Sequence, residues 1–99
     1  MTTTLPQSIV IIGRRWFRRG PGTTYHTSEI VVDGITVHKT PREYGYGDQY
    51  ADTAFRWLLA QGIVPLPTHA HECHWRHIRD NLGINYSYRA IDVPREKDL

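Results

Sequence analysis

Four short segments hold the residues that could do chemistry. The first is Arg14-Arg15-Trp16-Phe17-Arg18-Arg19. In extended backbone Arg14 and Trp16 fall on one side, Arg15 and Phe17 on the other. Each side then offers a guanidinium beside a ring, which suits a phosphate held by arginine and a base stacked on the ring. An edge strand that uses basic residues for solubility and to block edge pairing would read the same. The second segment, Thr23-Thr24-Tyr25-His26-Thr27-Ser28, carries hydroxyls and an imidazole able to donate to anionic oxygens. A hairpin closed over residues 17–22 would bring Trp16 beside Thr23 to Tyr25.

The third segment is Tyr44-Gly45-Tyr46-Gly47-Asp48-Gln49-Tyr50, a Gly- and Tyr-rich loop that runs into a helix start. Helix N-termini attract anions, but Asp48 as N-cap partly occupies that position. No Gly-Lys-Ser/Thr follows, so this is no P-loop. Tyrosines covering a core edge are the plainer alternative. The fourth is His69-Ala70-His71-Glu72-Cys73-His74-Trp75-Arg76-His77, with four of the six histidines and the one cysteine. On a helix His69, Cys73 and His77 would line one face, close to what zinc or nickel requires. An exposed histidine-rich turn without metal is the favoured reading, so no cofactor is expected.

Two enzyme patterns fail on spacing. His26-Thr27-Ser28 and His38-Lys39-Thr40 resemble the paired motifs of two-histidine phosphoesterases. Those motifs must face one another across a duplicated fold. A two-residue turn at Asp33-Gly34 would instead set His38 opposite Glu29 and His26 opposite Pro41. His71-Glu72-Cys73 lacks the Pro-Cys-x-x-Cys pair of zinc deaminases. No catalytic residue is assigned.

These segments need a scaffold. Ser8 to Trp16 reads as a strand, Arg18 to Gly22 as a loop and Thr24 to Val32 as a second strand. Asp33-Gly34 between β-rich runs signals a type I′ hairpin into a third strand, Ile35 to Lys39. Pro41 to Gly47 reads as loop. Gln49 to Gln61 reads as a helix with a stripe of Ala51, Ala54, Phe55 and Leu58 and a stop at Gly62. A second helix is expected over His71 to Leu82, with Trp75, Ile78 and Leu82 inward. A last strand runs over Ile84 to Val93. The order β-β-β-α-α-β gives an α+β class: a small, mainly antiparallel sheet with two helices packed on one face. The expected organisation is a flexible arm over residues 1–7, one domain over 8–93 and a charged, frayed tail over 94–99.

The composition fits one folded domain, with 39% hydrophobic and 22% charged residues among 99. One cysteine excludes an intrachain disulfide framework and suits a reducing cytoplasm. The longest aliphatic run, Ile9 to Ile12, is far short of the roughly 20 residues that span a bilayer. The N-terminal residues do not resemble a secretory signal. Ten arginines against two lysines favour recognition of planar oxyanions over plain solubility. An uncovered sheet face and six tyrosines with three tryptophans point to a homo-oligomer.

Arg15-Trp16-Phe17, Thr24-Tyr25-His26 and Tyr44 to Tyr50 together resemble a motif set of small uncharacterised proteins of tailed bacteriophages. The resemblance covers about Arg14 to Leu58. It implies an accessory protein acting in the cytoplasm of an infected bacterium. By analogy of setting, it suggests sequestration of a nucleotide signal of host immunity. The expectation is therefore a non-catalytic, homo-oligomeric binder of a small phosphate-bearing, nucleotide-type ligand, away from membranes. Arg14, Arg15 and Arg18 would meet phosphates, and Trp16, Tyr44 or Tyr46 a base. Thr24, Tyr25, His26 and Gln49 would orient the ligand. Single-stranded nucleic-acid binding through the same strand, or inhibition of a host protein, are the alternatives.

Overall fold

The structure, a computed structural model, describes residues 5–67 and 73–99. Strand β1 (Ser8–Arg18) pairs antiparallel with β2 (Thr23–Val32) in unbroken register from Ile9↔Val32 to Arg18↔Thr23. Asp33 (φ +51°) and Gly34 (φ +81°) then turn the chain into β3 (Ile35–Lys39). Two positive φ angles in a row are what a type I′ turn requires. The Asp33 carboxylate also accepts hydrogen bonds from the amides of Gln7 and Ser8, at 2.8 and 3.0 Å. Strand β4 (Glu43–Tyr44) is two residues long and adds to β2 beyond β3. After helix α1 (Gln49–Ala60), the chain returns as β5 (Asn85–Asp92), parallel to β1. The fold is thus α+β, a mainly antiparallel sheet with order β3-β2-β1-β5 and one mixed pairing.

Alternation along β1 decides what faces the helix. Ile9, Ile11 and Gly13 point inward and are buried, and Arg15 and Phe17 continue that face. Val10, Ile12, Arg14 and Trp16 point outward. On β2, His26, Ser28 and Ile30 are the inward, buried set. Helix α1 lays Ala51, Ala54, Phe55 and Leu58 on this face, the stripe its sequence period predicts, with Tyr50 and Thr53 beside them. Gly62 (φ +71°) ends the helix as C′. Its amide bonds the Leu59 carbonyl and the Ile63 amide bonds that of Leu58, a Schellman closure.

Four expectations change. Strand β1 is central, between β2 and β5, so its arginines do not guard an edge. A β-bulge between Ile30 and Val31 shifts the third strand, so His38 lies opposite Ile30 and not Glu29. His26 lies opposite Glu43, because the segment read as loop returns to β2 as β4. The second helix, among the described residues, is short and closes as a π-helical turn, Arg76–Asn81, with the Leu82 amide on the His77 carbonyl. Its core positions are His74, His77 and Ile78, while Trp75 and Leu82 are half-buried. Each of the two histidine rings has one bonded nitrogen, while His77 Nδ1 is buried without a partner among the described residues. His74 Nδ1 accepts the Tyr86 hydroxyl at 2.7 Å, and His77 Nε2 donates to the Pro65 carbonyl at 2.7 Å.

The tail does not leave the body of the protein. The Val93 amide bonds the Arg15 carbonyl, and a 3-10 turn over Glu96–Asp98 follows. Glu96 pairs with Arg42, and Lys39 donates to the main-chain oxygen of Leu99 at 3.2 Å. Residues 94–99 thereby cross from the β5 edge to the β3 edge, over the sheet face opposite α1.

Candidate functional site

The two faces of β1 separate the residues of the first two segments into two groups. On the helix side, Arg15, Phe17, Arg19, Thr24 and Gly47 line a cleft of about 500 Å³ with Asp92, Val93 and Pro94. The cleft lies where the sheet outruns α1. Arg15 is fixed in it by Asp92, at 2.7 Å from Nε, and donates from Nη1 to the Gly47 carbonyl at 3.1 Å. The bond to Asp92 raises the Arg15 pKa still further above its ordinary value, so the guanidinium is a permanent charge. Asp92 is 75% exposed, so this pair contributes at most about 1 kcal/mol and an incoming anion can compete for it. Among the described residues no carboxylate pairs with Arg19, and the Phe17 ring is 56% exposed.

Gly47, at this end of the cleft, stands two residues before the start of α1. Asp48 occupies the N-cap position but makes no side-chain capping bond, contrary to the role its sequence position suggests. Backbone carbonyls take over instead: the Gln49 amide donates to that of Tyr46 at 3.2 Å and the Ala51 amide to that of Asp48 at 2.9 Å.

On the outer face Arg14 pairs with Glu29 at 3.1 Å. That pair and the Thr36 hydroxyl hold the Glu29 carboxyl below the usual carboxylate range. Trp16 stacks on Tyr25 with ring centroids 6.0 Å apart, Tyr44 meets Tyr25 edge-on at 6.0 Å, and the Arg42 guanidinium lies 5.1 Å from the Tyr25 ring centre. Trp16 and Tyr25 do come together as the hairpin predicts, but away from Arg15. Arg18 lies exposed at the hairpin end and Tyr46 is exposed on its loop.

His26 belongs to neither group. It is fully buried and donates from Nδ1 to the Gly45 carbonyl at 3.1 Å, since a carbonyl only accepts. Its Nε2 lies 2.9 Å from the Thr53 hydroxyl, which is also within 3.1 Å of Glu43. The network ties the Gly-rich loop to α1. A Cβ on Gly45 would fall 2.8 Å from the His26 ring and 2.4 Å from the Gln49 side chain. Gln49 therefore packs on the loop. Tyr50 fills the space that a side chain at Gly13 would need.

Of the ten residues read as ligand-binding, the cleft holds Arg15 and Thr24. Phe17 and Arg19 could have been read from the alternation that placed Arg15. Gly47 and Asp92 could not, because they reach Arg15 only through tertiary pairing. Of the metal candidates, His69 lies outside the described residues. Cys73 is half-buried, and His77 spends one ring nitrogen on Pro65. Among the described residues no cluster of three or more His, Cys, Asp or Glu is placed to hold a metal ion. No described helix is long and apolar enough to cross a membrane. No family model matches this chain, and no curated protein or solved structure does so either.

Proposed function

We propose that this protein binds a small phosphate-bearing, nucleotide-type ligand without altering it chemically. The carrying observation is the cleft in which Arg15 and Arg19, an exposed Phe17 ring and Thr24 converge. Arginine forks match phosphate oxygens, and a base stacked on an aromatic side chain is worth about 1–3 kcal/mol in nucleic-acid binders. In this reading Phe17 takes the stacking role first given to Trp16, and Thr24 orients the ligand. The motif resemblance supplies the setting: a phage accessory protein that sequesters a nucleotide signal in the cytoplasm of an infected bacterium. Self-association belongs to the same reading, since Val10, Ile12 and Val31 leave half-buried apolar side chains together on the outer face.

The test is a thermal-shift panel of cyclic dinucleotides and ADP-ribose derivatives. At least one should raise the unfolding temperature. Arg15→Ala should abolish that shift, and Asp92→Asn, which removes the competing carboxylate, should enlarge it. A panel without response at high ligand excess overturns the reading.

Single-stranded nucleic acid is the second reading. One observation favours it: Arg-aromatic groups stand on both faces of one hairpin, Arg15 with Phe17 and Arg42 with Tyr25, so a polymer could wrap its end.

A further inference from the structure

The outer face carries a second feature, independent of the cleft at Arg15. Thr27 lies on the floor of an open trough of about 720 Å³, flanked by Lys39, Arg42 and Lys97 and lidded by Glu96 and Leu99. The Thr27 side chain is 95% buried by its 5% exposure, and its hydroxyl has no hydrogen-bond partner among the described residues. A buried hydroxyl without a partner is costly, and native structures seldom leave one so. Above it the cations are held in place. Arg42 is set over the Tyr25 ring, and its partner is the Glu96 carboxylate of the tail. Lys39 donates to the main-chain oxygen of Leu99 at 3.2 Å. Of the other carboxylates, Glu29 is taken up by Arg14 and Thr36, though it still feels the Lys39 charge, and Asp98 pairs with Arg95.

We infer that this trough is a phosphate-binding site, with Thr27, Lys39 and Arg42 as its donors and Glu96 as a built-in competitor. The logic is one of charge. Glu96 brings one negative charge on a three-residue turn and is 51% exposed. A phosphate brings up to two charges and three strong acceptor oxygens. It can satisfy Arg42 and Lys39 together and give the Thr27 hydroxyl the acceptor it lacks. Neither Glu96 nor the Leu99 oxygen does all three. Free phosphate and a phosphate ester share this chemistry. An ester whose organic part is a ring could in addition lie against Tyr25 or Tyr44.

The experiment is calorimetric titration at low ionic strength in the Arg15→Ala background, so that the other cleft does not report. Inorganic phosphate and phenyl phosphate are the two arms. One equivalent should bind in at least one arm, and tighter binding of phenyl phosphate assigns the ester. Thr27→Val should weaken binding about tenfold, the loss expected for one hydrogen bond to a charged group. Lys39→Met should weaken it similarly, and Glu96→Gln should strengthen it by freeing Arg42. Binding in neither arm, binding indifferent to Lys39→Met, or weakened binding in Glu96→Gln overturns the inference. Should Thr27→Val lose its circular-dichroism signature, the exposed Lys39 carries the decision.

Discussion

Gly13 and Tyr50 show how a residue that invites a functional reading can be structural. A Cβ at Gly13 would lie 2.2 Å from the Tyr50 ring, well inside contact distance. The Tyr50 ring is buried on the strand and cannot swing aside without leaving the core. Gly13→Ala should therefore destabilise the fold by about 1–3 kcal/mol, as overpacking does, read as a lower midpoint in chemical denaturation. His74 gives a prediction in pH. Burial lowers its pKa, and the Tyr86 hydroxyl it accepts favours the neutral ring. The unfolded chain then binds a proton that the folded chain resists. Stability is full above about pH 6.5, the ordinary histidine value, and falls as pH drops below it toward the folded pKa. Thermal unfolding followed from pH 7.5 to 5 should show this loss, and His74→Gln should flatten the slope. A slope unchanged in that variant would assign the acid sensitivity to another group.

Among the elements, the local signals were legible and the long-range ones were not. The Asp33-Gly34 turn, the α1 stripe and the two-sided alternation of β1 depend on neighbours in sequence, and each forms as its residues dictate. The parallel pairing of β1 with β5 has no such signal. Yet it makes β1 central and delivers Asp92 to Arg15 across 77 residues. The two-residue β4 is too short to show a period, and the bulge at Ile30/Val31 leaves no mark in composition. The candidate site was therefore half readable: strand periodicity gave Arg15 its face, but only tertiary contacts decide which face becomes a cleft. Beside β5 the chain uses a local contact instead: Arg79, seven residues before Tyr86, donates to its carbonyl at 3.0 Å. Turn chemistry can be tested by contrast. Neither Gly20 nor Gly34 has an atom within 4 Å of an added Cβ, but only Gly34 has positive φ. Gly34→Ala should cost about 1 kcal/mol from backbone strain alone. Gly20→Ala should be neutral in the same denaturation assay.

For the whole molecule, the arrangement of charge discriminates between a small ligand and a polymer. Net charge is only +2, and both arginines named on the outer face already have carboxylate partners: Arg14 in Glu29 and Arg42 in Glu96. Arg18 and Arg19 at the hairpin end have no carboxylate partner among the described residues, and Arg15 has an exposed, displaceable one. A bound chain of nucleotides would thus find few phosphates to neutralise before it had to break internal ion pairs. Counterion release scales with that number, at about −0.7 per phosphate for single strands. With two or three cations engaged, the logarithm of affinity should fall against the logarithm of salt with a slope of about −1 to −2. Extending an oligonucleotide beyond a few residues should not tighten binding. Fluorescence anisotropy with labelled oligonucleotides from two to twelve nucleotides, across 50 to 300 mM salt, measures both quantities. A slope steeper than about −4 with affinity rising with length would mean that the strand recruits Arg14, Lys39 and Arg42 as well. It would then engage both faces of the hairpin, and the polymer reading would replace the small-ligand one.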